Sequence, residues 1–411
     1  MRLLRVIARL DSRDGGPPLA AMAATKALAK RGHHTEVFST FGSARESLPE
    51  SVPGFVVESG DGYQVSMFPC RPPWIWKRAP TMIPALKAIL PEIDLVIVHG
   101  LHLWISKVVP ALCKTLDKPY VLFPHGALSP EILSRRRPAK ALLEAWFQSA
   151  HLRDAAGLHF TAPAEQALAP AAYGRSPAAF VCPQGVDLAQ STPFSEPVPV
   201  RSNDQDGPVL LYLGRLHEKK GLPLILEALA RLSQGAGAPL PQARAVLAGP
   251  DGGMREALER QISALGLEGR VALPGEVTGA AKEALFRQAD FFLLPSAQEN
   301  FANAMVEAMA FGVPVLISPQ VETAPMVTHA GAGLAVSRDA TQMAEAMLRY
   351  WRDPKRRQEM GNAGARLVHD HLGWDRVAEH LERIYETILQ TGRPPQKGLD
   401  ADSPLPPWEV R

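Results

Sequence analysis

Short apolar runs, each bounded by glycine, proline or histidine and separated by helical segments, constrain the fold of this chain more than any other feature. Buried strands of a parallel sheet show this pattern, because helices cover both faces of such a sheet. In the first half, a helix is predicted at Pro18–Ala29, and the predicted strands are Leu3–Ala8, Glu36–Ser39, Leu95–Val98 and Tyr120–Phe123. Strands that alternate with helices predict a doubly wound α/β domain.

The second half repeats this alternation more regularly. Its predicted strands are Val209–Leu213, Ala245–Ala248, Arg270–Leu273, Phe291–Leu294 and Val313–Ile317, and its predicted helices are Pro223–Leu232, Met254–Leu265, 279–288 and 303–311. A proline- and serine-rich polar stretch between the halves is typical of a linker. We therefore expect an N-terminal domain at 1–188, a linker at 189–207, a C-terminal domain at 208–372, a separate helix at 373–390 and an irregular tail at 391–411.

The composition fits a globular protein and excludes several classes. Of the 411 residues, 21% are charged and 46% are hydrophobic, which rules out wholesale disorder and a coiled coil. No apolar run approaches the ~18 residues of a transmembrane helix, and the charged N-terminus does not resemble a signal peptide. The three cysteines are widely spaced, so we expect neither a disulfide framework nor a zinc site, and a reducing cytoplasm fits.

The net charge of +2 conceals an asymmetry between the two halves. Residues 1–187 carry 21 Lys and Arg against 15 Asp and Glu, whereas residues 188–411 carry 23 against 27. An excess of basic residues favours an anionic partner for the first half, such as a phosphorylated substrate or a membrane surface. Scattered surface charge without a function explains the count equally well.

Two cations follow the first strand of the second domain. The glycine-bounded segment Gly214–Gly221 contains Arg215 and Lys220, five residues apart. A forked guanidinium and a compact ammonium suit the two phosphates of a diphosphate. A solvated basic turn gives the same pattern, so the segment needs a second motif beside it.

Two carboxylates at a helix start supply that second motif. Glu299 lies in the turn after the strand Phe291–Leu294, and Glu307 lies eight residues later in the next helix. The start of this helix offers free N–H groups and the positive end of the helix dipole to a phosphate. One carboxylate can bind the vicinal diol of a ribose, and the other can reach the hydroxyls of a second sugar.

Together these motifs resemble the retaining glycosyltransferases of the GT-B fold, family GT4. The matching segments are Gly-Arg-Leu-x-x-x-Lys-Gly at 214–221, Glu-Asn-Phe-x-Asn-x-x-x-Glu-Ala-Met-Ala-x-Gly-x-Pro-Val at 299–315, His125-Gly126 and Pro183–Asp187. The chain departs from the family pattern at Ala302, where glycine is common, and at Gln184, where asparagine is usual. The resemblance, over about residues 5–390, implies two Rossmann-like domains facing across a cleft, with the C-terminal helix crossing back to the first.

The resemblance also implies a role for each residue of the donor site. Arg215 and Lys220 would bind the diphosphate of the donor and stabilise its charge. Glu307 would bind the ribose, and Glu299 the transferred hexose. Further donor contacts are expected from Gly15, Gly16, Glu276, Val277, Asn300, Phe301, Ala302 and Asn303. His125 would lie beside the transferred sugar, and the expected catalytic residues are His125, Arg215, Lys220 and Glu299.

The first domain is expected to hold the acceptor. His99 and His102 follow one of its strands, although packed core histidines explain them as well. A run of three arginines precedes an apolar helix, and Pro72–Arg78 contains two tryptophans beside basic residues. This combination suits an anionic membrane interface or a lipid diphosphate, and an ordinary amphipathic helix is the alternative. The expected acceptor-binding residues are His99, His102, His125, Arg135, Arg136 and Arg137.

The implied reaction moves a hexose from a nucleoside diphosphate sugar to an acceptor hydroxyl with retention of the anomeric configuration. We expect no metal or other cofactor, because the triplets Asp204–Asp206 and Asp400–Asp402 lie in the linker and the tail. The expected acceptor is a saccharide or lipid-linked saccharide of exopolysaccharide or lipopolysaccharide biosynthesis. The enzyme would be cytoplasmic and peripheral on the inner face of the plasma membrane, without a nucleic-acid partner.

The sequence lacks the motifs of two other classes of nucleotide-binding enzyme. A nicotinamide-dependent oxidoreductase needs G-x-G-x-x-G, and a P-loop enzyme needs G-x-x-x-x-G-K-[ST]; neither motif occurs. A GT-B sugar-nucleotide epimerase or hydrolase and a non-catalytic two-domain sugar-binding protein are the remaining alternatives. The sequence leaves open the sugar, the nucleotide base (UDP, GDP or ADP), the acceptor and the oligomeric state.

Overall fold

The structure is a computed structural model that describes residues 1–10, 16–42, 54–134, 137–176, 178–187, 207–234 and 238–395. Its described residues form two compact units. The first unit comprises the chain up to Gly185 together with the segment that begins at Trp374, and the second runs from Val186 to Gly373. The expected linker, apart from Gly207, and both Asp-x-Asp triplets lie outside the described residues.

The first unit is built on one eight-stranded sheet. Its strands are β1 (Arg2–Ile7), β2 (His34–Phe41), β3 (Phe55–Gly60), β4 (Tyr63–Pro69), β5 (Leu95–His99), β6 (Tyr120–Phe123), β7 (Gly157–Phe160) and β8 (Ala179–Val181). They lie in the order β3-β4-β2-β1-β5-β6-β7-β8, and all neighbours are parallel except β3 and β4. The order reverses between β1 and β5, which is where open α/β sheets bind their ligands.

Helices connect these strands. They are α1 (Gly16–Lys30), α2 (Met82–Ile89), α3 (Trp104–Thr115), α4 (Pro130–Ser134), α5 (Arg137–Leu143), α6 (Ser149–Asp154), α7 (Pro163–Leu168) and α8 (Ala171–Gly174). On one face of the sheet, α2 and α3 bury Leu86, Ile105 and Val109 against Val96 and Val98. Burial of these aliphatic side chains stabilises the layer by about 1.5–3 kcal/mol each.

The second unit contains a six-stranded parallel sheet. Its strands are β9 (Val209–Leu213), β10 (Arg244–Ala248), β11 (Val271–Gly275), β12 (Phe291–Leu294), β13 (Val315–Ile317) and β14 (Gly333–Ala335). Its helices are α9 (Leu222–Ser233), α10 (Arg255–Ala264), α11 (Gly279–Gln288), α12 (Asn303–Ala310), α13 (Ala324–His329), α14 (Ala340–Trp351) and α15 (Pro354–Leu367). The order β11-β10-β9-β12-β13-β14 reverses between β9 and β12.

The last helix, α16 (Trp374–Thr391), belongs to the first unit although it follows the second in sequence. It buries Leu381 and Ile384 against the face of the first sheet that carries Leu3 and Val121. Its Glu382 pairs with His33 at 2.8 Å and also with Arg31 at the end of α1. The prediction that this helix crosses back to the first domain is therefore confirmed.

The two doubly wound sheets confirm the predicted fold class. The predicted central strands are present within one or two residues of their predicted ends, and the predicted helix at Pro18–Ala29 corresponds to α1. The strands β3, β4, β7, β8 and β14 were not predicted from the sequence. These strands lie at or near the sheet edges and are three to seven residues long, and β3 is exposed along its whole length. None of them contains an apolar run longer than three residues, so the sequence pattern does not indicate them.

Candidate functional site

The segment after β9 begins the site of the second unit. Gly214 lets the chain turn next to Arg215, whose side chain is exposed. The buried Tyr212 hydroxyl donates a hydrogen bond of 2.8 Å to the carbonyl of Arg215, and burial raises the pKa of Tyr212. A Cβ placed on Gly252 would lie 2.9 Å from the Cγ of Arg215, so the loop after β10 supports this side chain. The guanidinium is thus presented to solvent at the end of the sheet.

Lys220 reaches a carboxylate that follows the neighbouring strand. A 3₁₀ turn covers Glu218–Lys220, and Gly221 closes it with φ of 68°. A Cβ on Gly221 would collide with the carbonyl oxygen of Pro295, so only glycine lets the two loops approach this closely. Lys220 forms an ion pair with Glu299, and each side chain is 22% exposed. The predicted diphosphate cation and the predicted hexose carboxylate therefore lie together and neutralise each other.

The start of α12 has an unusual backbone conformation. Ala302 occupies its N-cap position with φ of 57° and ψ of 62°, a left-handed conformation that favours glycine. Alanine has no side-chain oxygen with which to cap the helix, so the first N–H groups of α12 receive no cap from this residue. Asn300 and Asn303 are half-buried beside it, and Phe301 is buried in the core of the unit. The N–H groups that are predicted to contact the donor thus belong to a segment that Phe301 anchors in the core.

Glu307 is the fifth residue of α12 and has a partner that the sequence analysis missed. Lys282 of α11 contacts its carboxylate at 2.7 Å, and the two side chains are 29% and 24% exposed. No spacing rule links residues on separate helices, so the sequence alone carried no signal for this pair. The carboxylate is held in one orientation by an ammonium.

The structure brings Lys220 and Glu299 into contact, and other predicted donor residues of the second unit follow strands of the same sheet. Arg215 follows β9 and Asn300 follows β12, which are hydrogen-bonded neighbours. Glu276 and Val277 follow β11 at the edge of the sheet, where Glu276 is exposed and Val277 is half-buried. Glu276 therefore lies farther along the sheet edge, two strands from β9.

In the first unit, histidines gather where the strand order reverses. His99 ends β5 and is 3% exposed. Its Nδ1 lies 2.9 Å from Nε2 of His125, and its Nε2 lies 3.3 Å from Nη1 of Arg5 on β1. The sequence did contain a signal for Arg5, because a charge interrupts the apolar run of the first strand. A charge inside a strand does not by itself show which side chain it contacts.

Backbone strain and stacking orient His125. Its φ is 51°, and its ring stacks on Phe123 with a centroid distance of 3.8 Å. The carboxylate of the buried Glu165 accepts hydrogen bonds of 2.7 Å from the N–H groups of Gly126 and Thr161. Glu165 on α7 thereby fixes the loop that carries His125, a role that no sequence motif indicated.

Burial controls the protonation of these imidazoles. Burial lowers the pKa of His99 well below its usual value, and neighbouring His125 and Arg5 lower it further. Burial, followed by His159 and Arg5, lowers the pKa of His125 to about 3. His159 on β7, also buried, has its pKa lowered to about 3. All three rings are therefore neutral near pH 7.

The structure describes only some of the other site residues that were predicted in the first unit. His102 is half-buried with φ of 59°, and its N–H donates to Oε1 of Gln148 at 2.9 Å. Gly16 begins α1, while Gly15, Arg135 and Arg136 lie outside the described residues. Arg137 begins α5. The acceptor role predicted for the arginines stays a prediction.

An aromatic surface lies near α5. Trp76 and Trp146 stack with ring centroids 6.1 Å apart, and Nζ of Lys107 lies 3.5 Å from the centroid of Trp146. Trp146 of this stack is 57% exposed, and two further apolar side chains of the same unit also face solvent, Ile75 with 79% and Leu142 with 69% exposure. Among the described residues, no helix is both long enough and apolar enough to cross a bilayer. Nor does any group of three or more His, Cys, Asp or Glu in the described ranges form a candidate metal site.

Two families match the chain in consecutive segments. Residues 15–190 match the family described as Glycosyltransferase Family 4, and residues 197–367 match the family described as Glycosyl transferases group 1. The first segment lies almost wholly in the first unit and includes His125. The second lies in the second unit and includes the ion pairs of Lys220 and Lys282.

Curated proteins similar to the chain carry related names. It is 29% identical over 269 residues to GDP-mannose:cellobiosyl-diphosphopolyprenol alpha-mannosyltransferase of Xanthomonas campestris, covering 65% of each protein. It is 31% identical over 247 residues to D-inositol 3-phosphate glycosyltransferase of Kineococcus radiotolerans, covering 56% of each. The chain matches about half the length of several such relatives, between 46% and 56%.

Solved structures share the fold over nearly the whole chain. Sucrose-phosphate synthase from Thermosynechococcus elongatus is 21% identical, with a TM-score of 0.77, over 95% of this chain and 99% of that one. Anabaena HepE in complex with UDP and glucose is also 21% identical, with a TM-score of 0.72, over 94% of this chain and 100% of that one. At this level of identity the similarity establishes the fold.

Proposed function

We propose that this chain, which belongs to the GT-B glycosyltransferases of the group 1 and family 4 type, transfers a hexose from a nucleoside diphosphate sugar to an acceptor hydroxyl. Two ion pairs carry the proposal. Lys220–Glu299 joins the segments that follow β9 and β12, and Lys282–Glu307 joins α11 to α12. Two ammonium groups and two carboxylates on neighbouring segments match the two chemistries of such a donor, its diphosphate and its sugar hydroxyls.

Donor binding would exchange these internal ion pairs for contacts with the ligand. The diphosphate offers Lys220 a stronger anion than Glu299, and it also receives Arg215 and the first N–H groups of α12. Glu299, released from Lys220, then accepts hydrogen bonds from the hydroxyls of the hexose. Glu307 accepts from the 2′- and 3′-hydroxyls of the ribose. Neither pair is fully buried, and the charged and polar groups of the ligand replace each partner as it leaves, so the exchange is accessible.

The chemical step would be a front-face substitution with retention. The bond between the anomeric carbon and the phosphate oxygen breaks, and the acceptor oxygen bonds to the same face of that carbon. The proton of the acceptor hydroxyl passes to the departing phosphate oxygen, so the products are the glycoside and the nucleoside diphosphate. Arg215 and Lys220 stabilise the charge that develops on the phosphate. Because these side chains already supply that stabilisation, the proposal assigns no metal to the step.

The acceptor in this proposal is a lipid-linked saccharide, bound through the first unit. The name of the Xanthomonas relative specifies a diphosphopolyprenol acceptor, and that acceptor class is proposed here by analogy. The aromatic surface of Ile75, Leu142 and Trp146, beside Lys107, offers an apolar patch with a cation at its edge. Such a patch suits the boundary between headgroups and acyl chains of an anionic membrane. This would place the enzyme at the inner face of the plasma membrane, in cell-surface polysaccharide biosynthesis.

The transfer reaction is tested by incubating the full chain with UDP-, GDP- and ADP-hexoses in the presence and absence of polyprenol-linked saccharides. Release of nucleoside diphosphate only with an acceptor, with the hexose recovered on the lipid, supports transfer. Equal release without any acceptor would indicate a hydrolase, and binding without turnover of any combination would indicate a sugar-binding protein. A parallel reaction with EDTA tests the absence of a metal requirement, since a loss of turnover there would contradict it.

Membrane contact is tested separately by sedimentation with vesicles that contain anionic lipid. The variant Ile75→Ser/Leu142→Ser/Trp146→Ser should bind these vesicles more weakly, as should the triple serine variant of Arg135–Arg137. Leu168→Ser removes an exposed leucine elsewhere on the same unit and is the matched control. Binding that neither triple variant weakens would refute the assigned surface.

A further inference from the structure

A chain of hydrogen bonds in the first unit ends at His125. Arg5 is 2% exposed within the first sheet, and its Nη1 lies 3.3 Å from Nε2 of His99. Nδ1 of His99 in turn lies 2.9 Å from Nε2 of His125. Three side chains are therefore connected through four nitrogen atoms, and each nitrogen must either donate or accept.

The chemistry of arginine fixes every role in this chain. A guanidinium has only donors and stays charged at all accessible pH values, so Nε2 of His99 must accept from Arg5. An imidazole that accepts at Nε2 carries its hydrogen on Nδ1. His99 therefore donates from Nδ1 to Nε2 of His125, which must accept. A hydrogen on Nε2 of His125 would face the hydrogen of His99 and break the contact.

We propose that Arg5 and His99 are positioning residues that hold His125 as the neutral tautomer with its hydrogen on Nδ1. The remaining polar atom of His125 is then a permanent hydrogen-bond donor. Toward a substrate, this nitrogen can bind a hydroxyl or phosphate oxygen, but it cannot remove a proton. The catalytic role of this donor nitrogen rests on the proposed function. In a front-face substitution the acceptor's proton passes to the phosphate, so no base is needed at His125.

The surroundings of the chain support neutral rings. The charged and titratable groups that act on His99 and His125 are Arg5 on β1 and His159 on β7, and burial of the rings adds to their effect. Arg5 also acts on Cys182 after β8 and on Tyr385 of α16, and His380 of α16 acts on His159. The pKa values of His99, His125 and His159 are all lowered, and a second positive charge beside Arg5 is disfavoured.

The orientation of the ring is fixed independently of the hydrogen bond. His125 stacks at 3.8 Å on Phe123, whose other neighbour is His159 at 3.9 Å. Nε2 of His159 donates to the carbonyl of Cys182 at 2.8 Å, because a carbonyl oxygen can only accept. The stack therefore contains two histidines of opposite tautomer, with hydrogen on Nδ1 in His125 and on Nε2 in His159.

NMR detection of the ring nitrogens tests the tautomer of His125 directly, in the full chain and without any substrate. The protein is labelled with ¹⁵N-histidine, and long-range ¹H–¹⁵N spectra are recorded from about pH 5 to pH 8, the range in which an unperturbed imidazole titrates. The signals of His125 are assigned by their loss in His125→Gln. The proposal predicts a protonated Nδ1 and an unprotonated Nε2 throughout this range. An Nε2–H tautomer, a mixture or a cation at His125 would overturn it.

Two substitutions of Arg5 separate positioning from a structural role. Arg5→Lys keeps a cationic donor toward His99 and should preserve the spectrum. Arg5→Met removes the donor together with a buried charge whose Nε and Nη2 make no hydrogen bond within the described residues, so the variant is expected to fold. In Arg5→Met the His125 signals should become those of a tautomer mixture. An unchanged spectrum in folded Arg5→Met would contradict the role of Arg5.

Kinetics then connect the tautomer to the proposed reaction. Arg5→Met should lower kcat about tenfold, as expected for one hydrogen bond of about 1.4 kcal/mol in the transition state, with little change in the KM of the donor. Arg5→Lys should restore most of this loss. Because the spectra need no turnover, a protein that shows the predicted tautomer but transfers no sugar would refute the proposed function and leave this assignment standing.

Discussion

Replacement of Ala302 by glycine should stabilise the protein. Ala302 holds φ of 57° and ψ of 62° at the start of α12. This left-handed conformation costs a residue with a Cβ about 1–2 kcal/mol, whereas glycine adopts it freely. Glycine also loses about 0.5–1 kcal/mol more conformational free energy on folding. The difference predicts a net stabilisation of about 0.5–1 kcal/mol for Ala302→Gly.

Thermal unfolding by calorimetry measures this effect. For a domain of the size of the second unit, 1 kcal/mol corresponds to about 2–4 °C, so the melting temperature should rise by about 1–4 °C. Ala284→Gly on the exposed face of α11 is the matched control, because its helical conformation predicts a loss of about 1 kcal/mol. Donor affinity should be unchanged in Ala302→Gly, since the N–H groups of the segment are retained. A decrease similar to that of Ala284→Gly would refute the strain argument.

Three further predictions follow from the two units. Glu307→Gln should weaken donor binding at least tenfold in calorimetric titrations, because an amide accepts the ribose diol less strongly than a carboxylate; unchanged affinity would remove Glu307 from the site. Lys220→Ala should lower kcat by about 10²–10³, the usual cost of losing one charge-stabilising group, and a near-normal rate would exclude it from the diphosphate contact. Stability should fall as the pH drops below about 6.5, because unfolded histidines bind protons there while His159, with its pKa lowered to about 3, does not. In chemical unfolding, the free energy of unfolding of His159→Phe should depend less steeply on pH than that of the wild type, by about one proton. An equal slope in the two proteins would contradict this cause.

The fold was predictable where each element carries its own signal. The central strands are continuous apolar runs because helices cover both of their faces, so their sequence alone indicates them. The antiparallel pair of β3 and β4 carries no such run. The apolar stripe of Leu381, Ile384 and Ile388 shows that α16 packs on a core, but a stripe does not reveal which sheet it covers. The return of α16 to the first unit was expected only from the family resemblance.

The candidate site was predictable only where its residues share one segment and so form a local sequence pattern. Motifs that lie within one segment, such as Gly214–Gly221 and the two glutamates near α12, could be found from spacing. Contacts between segments could not, because no local pattern links Lys282 to Glu307 or Arg5 to His99. The positive φ of Ala302 was likewise hidden, although its position in the family pattern, where glycine is common, pointed to it.

The most direct test of the central claim is a thermal-shift comparison of the wild-type chain with Glu307→Gln in the presence of UDP, GDP, ADP and their hexose conjugates. Glu256→Gln, an exposed surface change in the same unit, is the matched control. A ligand at 100 times its Kd stabilises the native state by about 2.7 kcal/mol, which is readily detected. The account predicts an increase in melting temperature with one nucleotide family, which Glu256→Gln retains and which Glu307→Gln reduces to about half or less, as an affinity weakened at least tenfold requires. No increase with any nucleotide, or an equal increase in Glu307→Gln, would contradict it.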